Sequence, residues 1–358
     1  MTSASIDRAP FGKLPDGTVV ERVTLRGEHG FEAAILSFGA TLQALIAPDR
    51  DGHCDDIVLG HDELDGYLAQ RKFFGATVGR YANRIAGARF VLDGETVQLD
   101  ANNGPNALHG GVQGFDRKLW RIVELSEDPG PTLVLARESP HGEEGYPGTL
   151  AVRVTYCVRS PMELSVTYEA TTDRPTCLNL TNHSFFNLEG VRSGMQILDH
   201  RLTIVSDHFL AVDATAIPLH EPPRPVDGTP FDFRKPTAIG ARIRMRDEQL
   251  RLGRGYDHNF CLAKGAGLCL AARLEAPHSG RVMELFTDQP GLQFYSGNFL
   301  DGSTAGKGDR LYRQSDALCL EPHAWPDTPN RPDFPSARLD PGQLYRRSIV
   351  YRFSTACE

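Results

Sequence analysis

Hydrophobic and polar positions alternate with a period of two along most of the chain. From residue 150 to 158 the even positions are leucine, valine or tyrosine, and the odd ones are alanine, arginine, threonine or cysteine. This alternation predicts β-strands with one buried face. Similar runs predict strands at residues 19–25, 33–38, 41–47, 133–137, 164–168, 202–205, 268–274, 281–286, 292–295, 317–321 and 347–353.

Turn residues separate these runs, with 35 glycines and 24 prolines in the chain. Asp93-Gly94 lies between two extended runs and predicts a type I′ hairpin. Helical periodicity predicts only short helices at residues 62–71 and 245–252, and no βαβ alternation is visible. We therefore predict an all-β fold, a large antiparallel β-sandwich with few short helices. Residues 1–358 are expected to form a single domain, with disorder at roughly the first ten residues.

Charge and cysteine usage narrow the class of protein. The formal net charge is −8, and no basic stripe is present, so we expect no nucleic-acid partner. No apolar stretch is long enough to span a membrane, and the first residues show no secretory signal. The seven cysteines are scattered without a C-x-x-C pair, which predicts reduced, mostly buried thiols and a cytoplasmic location. We expect a monomer or a weak homodimer.

Residues 179–188 read NLTNHSFFNL and carry polar side chains on both faces of a predicted strand. A half-buried strand would keep one of its faces apolar. His183 by itself is more typical of a structural histidine than of a catalyst. Its amide and hydroxyl neighbours nevertheless indicate a strand that faces a ligand.

Other polar and aromatic residues stand where a plain strand or turn has no need of them. They are Asn83, Arg84, His109, Asp257, Gln293, Tyr295, Glu321 and Trp325. Amides, charged groups and aromatic faces together suit a neutral, polyhydroxylated ligand. Structural interpretations stay open for each, such as strand capping by Asn83, a turn at His109, an Asx turn at Asp257, a solvated Glu321, or a core position for Tyr295 and Trp325.

Motifs for metals and nucleotides are not found in the sequence. It contains no H-x-H, H-E-x-x-H, Walker A, G-x-G-x-x-G or G-x-S-x-G pattern. The potential ligands His183, Asp207, His208 and His220 are loosely spaced. We therefore expect neither a metal nor a cofactor.

Taken in order, several segments resemble the aldose 1-epimerase, or galactose mutarotase, family. The segments are GRYANRIAGARF, NALHGG with GFDRKLW, GEEGYPGTL, NLTNHSFFNLEG, YDHNF, GLQFYSGNFLDG and CLEPHAWPD. The resemblance implies a galactose mutarotase-like sandwich that interconverts the α and β anomers of free aldoses, a small-molecule monosaccharide substrate. It also implies site residues: Glu321 as general base, His183 as general acid, His109 as a second imidazole beside the ring oxygen, and Asn83, Arg84, Asp257 and Gln293 as ligands of sugar hydroxyls.

The resemblance and ordinary pKa values together give a mechanism to test. Glu321 is expected to be ionised at neutral pH, and Asp257 to raise the pKa of His183. We expect His183 and Glu321 to face each other across a gap the size of a hexose, with Leu180, Phe186 and Leu188 anchoring the other face of the His183 strand. His323 stands where the family often has glutamine, and an imidazole there is expected to favour ionised Glu321.

Three other functions stay open at this stage. Asp257 and Glu321 could form the carboxyl pair of a glycoside hydrolase. The same fold could serve a non-catalytic sugar-binding or regulatory protein, or a hexose-phosphate epimerase. The sequence does not rank glucose, galactose, arabinose and xylose as substrates.

Overall fold

Antiparallel strands make up most of the fold. The computed structural model describes residues 4–159, 161–263 and 267–356. In chain order the strands are β1 (Ser5–Lys13), β2 (Val19–Arg26), β3 (Glu32–Leu36), β4 (Thr41–Pro48), β5 (Cys54–Asp56), β6 (Ala76–Val78), β7 (Arg84–Ile85), β8 (Arg89–Leu92), β9 (Glu95–Gln98), β10 (Ala107–Leu108), β11 (Arg121–Ser126), β12 (Thr132–Ser139), β13 (Leu150–Arg159), β14 (Glu163–Thr172), β15 (Thr176–Cys177), β16 (Thr181–His183), β17 (Phe185–Phe186), β18 (Arg201–Ile204), β19 (His208–Phe209), β20 (Arg224–Pro225), β21 (Thr237–Ala238), β22 (Asp257–Cys261), β23 (Cys269–Glu275), β24 (Arg281–Thr287), β25 (Gly291–Tyr295), β26 (Asp301–Ala305), β27 (Leu311–Arg313), β28 (Leu318–His323), β29 (Arg338–Leu339) and β30 (Tyr345–Thr355). The predicted all-β class is confirmed.

Helices are short, as the sequence predicts. They are α1 (Leu64–Ala69) and α2 (Glu248–Gly253), together with single 3₁₀ turns at Ala86–Ala88, Phe115–Arg117, Glu143–Gly145, Ile197–Asp199, Ile239–Ala241, Lys307–Asp309 and Thr328–Asn330. Asp247 caps α2, because its carboxylate accepts hydrogen bonds from the N–H groups of Gln249 and Leu250. Among the described residues no helix has the length and apolar character to cross a membrane.

Three larger sheets organise the strands. The nine-stranded sheet has the order β11-β12-β13-β14-β30-β24-β23-β18-β21, and the six-stranded sheet has the order β17-β28-β25-β22-β19-β20. A five-stranded sheet, β1 to β5 in sequence order, contacts the nine-stranded sheet where β2 meets β12 and β13. The last strand, β30, lies between β14 and β24 and joins the two halves of the nine-stranded sheet.

One apolar core joins these sheets. The even-numbered residues from 150 to 158 on β13 are at most 1% exposed, and they belong to a cluster that also includes residues of β3 and β28. The period-two pattern therefore predicted the buried face of β13 correctly. Burial of this cluster is the main favourable contribution to folding.

The turn between β8 and β9 matches its sequence prediction. Asp93 and Gly94 both have positive φ, at 52° and 84°. A type I′ turn requires this conformation at both central positions, and Asp-Gly adopts it at low steric cost.

Two predictions need correction or completion. The first ten residues were expected to be disordered, but β1 covers residues 5–13 and pairs with β2 through a bulge, so that expectation is wrong for residues 5–10. Residues 1–3 and Cys357 lie outside the described residues. The other six cysteines are free, but three are buried, one is half-buried and Cys54 and Cys269 are exposed.

Candidate active site

The segment 179–188 is two short strands and not one continuous strand. β16 ends at His183, and β17 begins at Phe185 and pairs with β28. Leu180, Phe186 and Leu188 lie in the apolar core, as predicted. His183 instead packs between the rings of Phe73 and Phe185, with centroid distances of 5.6 and 5.1 Å.

The amides around His183 are structural. Asn179 donates to the carbonyl of Ala82 at 3.0 Å and accepts from the N–H of Ala324 at 2.8 Å. Asn187 donates to the carbonyls of Met195 and Asp316. Both share the parity of His183, so strand alternation alone did not separate the site residue from residues that join loops.

The six-stranded sheet has two different faces. Gln293 on β25 lies directly opposite Asn259 on β22 and Glu321 on β28, so three polar side chains form a row across adjacent strands. The alternate positions are Phe260, Leu292, Phe294, Leu318 and Leu320, and they enter the core. Because side chains alternate along a strand, the core anchors the same strands that present the polar row.

The three predicted catalytic residues converge at the Glu321 end of this row. The Nε2 atom of His183 lies 3.5 Å from Oε2 of Glu321. His109 stands edge-on to His183 with ring centroids 5.2 Å apart. One nitrogen of each imidazole and one Glu321 oxygen all lie within 4.8 Å of one another. Glu321, His183 and His109 are 2%, 6% and 8% exposed, which makes this a recessed cluster that is still connected to the surface.

The expected hexose-sized gap between His183 and Glu321 is wrong. Their polar atoms are separated by 3.5 Å, which leaves no room for a sugar ring between them. A ligand must instead lie alongside both groups, where it can contact them from the same side.

The backbone N–H of Asn83 determines which ring nitrogen of His109 carries the proton. The Nδ1 atom of His109 accepts a hydrogen bond from the N–H of Asn83 at 3.2 Å. A nitrogen that accepts carries no proton, so the neutral ring carries its proton on Nε2. His109 has a positive φ of 51° and its own N–H donates to the carbonyl of Asn83, which holds the ring in this orientation.

The four predicted sugar ligands border the same cluster. Gln293 donates from Nε2 to Oδ1 of Asp257 at 2.7 Å, and Arg84 donates from Nε to Oδ1 of Asn103 at 3.0 Å. The side-chain oxygen of Asn83 accepts the N–H of Arg84. Arg84 and Asp257 also line a cavity of about 280 Å³ beside the cluster. The structure therefore brings all seven predicted residues into one region.

Several buried polar atoms of this region have no hydrogen-bond partner among the described residues. They are Oδ1 of Asn259, Oε1 of Gln293, Oε2 of Glu321 and Nε2 of His323. Buried polar atoms are normally paired, and leaving one unpaired is costly. Their concentration on one sheet face indicates a surface that is completed by a polar ligand.

Burial controls the protonation of the cluster. It raises the pKa of Glu321 well above its ordinary value, with a further increase from Asp257 and an opposing decrease from Arg84. Burial also lowers the pKa of His183 to about 4 and that of His109 well below its usual range. Although His183 and Glu321 are within ion-pair distance, both directions favour the neutral carboxylic acid and the neutral imidazole in the unliganded site.

Three electrostatic expectations are therefore wrong. Asp257 does not raise the pKa of His183, because the loss of solvent around the ring dominates. Glu321 is not ionised without help, for the same reason. His323 is fully buried, and burial lowers its pKa to about 4, so at neutral pH it offers no positive charge to Glu321.

The distances among His109, His183 and Glu321 would also allow a metal ion to bind. The hydrogen bonding of His109 opposes this. A histidine that binds a metal through Nε2 usually donates from Nδ1 to an acceptor, whereas Nδ1 of His109 faces the N–H donor of Asn83. The donor set thus fits hydrogen bonding to a ligand better than metal coordination.

Sequence reasoning missed three residues of this region. Phe73 covers both imidazoles and in turn lies under the guanidinium of Arg71. Cys319 contacts His183, and Asn259 extends the polar row. Parity with Glu321 on β28 was the one available signal for Cys319; the position of Phe73 depends on folding of a distant loop.

Comparisons with known protein families, sequences and structures agree with one another over nearly the whole chain. The sequence profile of the aldose 1-epimerase family matches residues 21–352. The chain is 46% identical over 353 residues to a galactose mutarotase of Bos taurus, covering 98% of this chain and 99% of the relative. It is 40% identical over 342 residues to an aldose 1-epimerase of Escherichia coli (strain K12), covering 95% and 96%. The crystal structure of a galactose 1-epimerase from Lactobacillus acidophilus superposes with a TM-score of 0.87 at 28% identity, covering 99% of this chain and 100% of that one.

Proposed function

This chain belongs to the aldose 1-epimerase family, and we propose that its His183–Glu321 pair catalyses the interconversion of the α and β anomers of free aldoses. The observation that carries the proposal is the 3.5 Å contact between Nε2 of His183 and Oε2 of Glu321, an oxygen that has no other partner within the described residues. An acid and a base that close to each other can serve two oxygens bonded to the same carbon.

Anomer exchange needs two proton transfers at one carbon. The base removes the proton of the C1 hydroxyl, the C1–O5 bond breaks, and the electron pair released to O5 takes a proton from the acid. The open-chain carbonyl rotates about C1–C2, and the same steps in reverse close the ring on the other face. No electron acceptor or transferred group takes part, so the reaction is complete with these residues alone.

Glu321 and His183 fill these roles as one unit. We assign the base to Glu321, since Arg84 is the cation that stabilises its ionised form, and the acid to His183. In either direction of the reaction, one of the two side chains donates a proton while the other accepts one. Positioned acid–base groups typically contribute about 10²- to 10⁴-fold to the rate.

His109 contributes a fixed donor. Its proton stays on Nε2 because Nδ1 accepts the N–H of Asn83, and its lowered pKa keeps the ring neutral. A neutral donor can bind the ring oxygen or a neighbouring hydroxyl without attracting a proton from Glu321. Its role is therefore to orient the sugar.

Asn83, Arg84, Asp257 and Gln293 are assigned to the sugar hydroxyls. Asp257 and Gln293 already share a hydrogen bond, which restricts both side chains before a ligand arrives. Preorganised groups of this kind raise the rate by holding the reacting atoms in place. A monosaccharide would also satisfy the unpartnered atoms of the polar row.

Polarimetry tests the proposal directly. Freshly dissolved α-D-glucose and α-D-galactose should reach their equilibrium rotation faster with the protein than without it. Glu321→Gln, which keeps the shape of the side chain, should lose most of this acceleration. An unmodified, folded protein that leaves both rates unchanged would contradict the proposal.

Two alternatives give different results in the same samples. A glycoside hydrolase would release new reducing ends from an aryl or alkyl glycoside. A sugar-binding protein would bind the monosaccharide without changing the relaxation rate. The short separation of His183 and Glu321 does not favour the sugar-binding protein, which has no need of an acid–base pair. The described cations of the site, chiefly Arg84, do not form the cluster that a hexose phosphate would require.

The location and assembly of the protein belong to the same proposal. Six cysteines in the described part of the chain are free thiols and three of these are buried, which supports a reducing compartment such as the cytoplasm. Size-exclusion chromatography with light scattering would distinguish the expected monomer from a weak homodimer.

A further inference from the structure

Cys319 and Glu321 approach different nitrogens of the His183 ring. Its Sγ lies 3.6 Å from Nδ1 of His183, within the range of a sulfur hydrogen bond. Cys319 precedes Glu321 by two residues on β28, so both side chains point to the same face of the sheet. One strand therefore supplies a partner for each nitrogen of the same imidazole.

A thiol can pair with either protonation state of this ring. It donates S–H to the bare Nδ1 of a neutral imidazole, and after rotation about Cβ–Sγ it accepts N–H from an imidazolium. Cys319 remains a thiol during this exchange, because burial raises its pKa well above the ordinary value, and Glu321 and Asp257 raise it further. An acid that gains and loses a proton in every cycle needs such a partner.

The other neighbours of His183 do not provide this partner. Phe73 and Phe185 stack on the ring, and His109 stands edge-on to it. Glu321 faces Nε2, and His323 would only oppose the imidazolium, because its protonated form lowers the pKa of His183. The carbonyl of His183 also accepts the ring N–H and raises the pKa of the ring, in addition to accepting the N–H of Gly75 at 2.9 Å. A carbonyl can only accept, however, so it cannot donate to the bare nitrogen of the neutral ring, as a thiol can.

We propose that Cys319 is a positioning residue that holds His183 through Nδ1, keeps Nε2 directed at Glu321 and the sugar, and supports the imidazolium during acid catalysis. This inference rests on the proposed function for its kinetic consequence. The contact itself does not depend on that function.

Two substitutions separate hydrogen bonding from packing. Cys319→Ala removes the sulfur, whereas Cys319→Ser keeps a group that both donates and accepts. Loss of one hydrogen bond predicts about a three- to tenfold decrease in kcat for Cys319→Ala, with KM within twofold of the unmodified protein. Cys319→Ser should retain kcat within about threefold.

A titration of His183 gives a readout that packing alone would not change. In ¹⁵N-histidine-labelled protein, assigned by comparison with His183→Asn, the titration midpoint of His183 should move to lower pH by about half to one pH unit in Cys319→Ala. The direction follows because the contact that the imidazolium loses is charge-assisted, and it is stronger than the S–H···N contact that the neutral ring loses. In Cys319→Ser the midpoint should stay or move to higher pH. Cys157→Ala, which empties a buried thiol site on β13, should change neither measurement.

The outcomes distinguish this inference from the proposed function. Equal losses of kcat in Cys319→Ala and Cys319→Ser, or an unchanged His183 midpoint in Cys319→Ala, would overturn the positioning role. Should Cys319→Ala fail to fold, a midpoint in Cys319→Ser below that of the unmodified protein would overturn it. If the unmodified protein does not accelerate mutarotation, the proposed function fails, and the titration still tests the contact.

Discussion

The two faces of the six-stranded sheet are built from the same strands but obey different rules. On one face Leu292, Phe294 and Leu320 are at most 1% exposed and pack in the main core. On the other, Gln293 and Glu321 are nearly as buried, yet each has an oxygen that makes no hydrogen bond in the described part of the chain. Burial is therefore similar on both faces, and polar satisfaction is what differs.

This difference shows that the polar face contributes less to the stability of the fold than the apolar face does. Removing an apolar side chain from water stabilises the fold, whereas a buried polar atom without a partner costs about 1–3 kcal/mol. The apolar face offsets that cost because Gln293 on β25 lies between Leu292 and Phe294, which pack in the core. The unpaired atoms are then available to a ligand, because the core holds the strands that carry them in a fixed position.

The largest expected effect is on the polar face. Glu321→Gln should lower kcat/KM by about 10²- to 10⁴-fold, because the amide cannot accept the C1 proton. Its melting temperature should stay the same or rise, since the change removes a buried carboxyl group that lies near Asp257. Polarimetry and differential scanning calorimetry measure the two effects. A large drop in melting temperature would contradict the contrast between the faces.

On the apolar face, Leu292→Ala should lower the free energy of unfolding by about 2–5 kcal/mol, because it leaves a cavity in the core. Its KM and kcat should change little at a temperature where the variant is folded. Urea unfolding followed by fluorescence gives the free energy. A variant with normal stability and impaired kinetics would reverse the assignment of the faces.

The adjacent position gives the matched test. Gln293→Ala should raise KM about tenfold through the loss of a sugar contact and of the hydrogen bond to Asp257. Its cost in unfolding free energy should be smaller than that of Leu292→Ala, since one of the lost atoms had no partner. An equal or larger cost would mean that the polar row is structural.

At neutral pH the smallest effect is that of His323, whose contribution to stability depends on pH. Burial lowers the pKa of His323 to about 4, from 6.5 for an unperturbed histidine. The unfolded chain therefore binds this proton first, so the residue destabilises the fold as pH falls from 6.5 towards 4. His323→Gln should become progressively more stable than the unmodified protein over that interval. If the two proteins differ by the same unfolding free energy at pH 7 and at pH 4.5, then His323 is not buried in neutral form.

Much of the site could be read from the residues once their segments were considered together. Glu321, His183, His109, Asn83, Arg84, Asp257 and Gln293 were all expected there, and the structure brings them together. Their electrostatics could not be read in the same way. The pKa values of Glu321 and His183 move in directions opposite to the expectation, because desolvation depends on the atoms that surround each group.

Local features were determined by the sequence alone. Period-two alternation determined the strands and the buried face of β13, and Asp93-Gly94 determined a turn, since these depend on backbone conformations of neighbouring residues. Tertiary structure decided which of the polar residues act together. It separated Asn179 from His183 despite their common parity, placed Cys319 behind the imidazole, and replaced the expected gap with a 3.5 Å contact. Such distances arise where strands remote in sequence meet, and no local pattern encodes them.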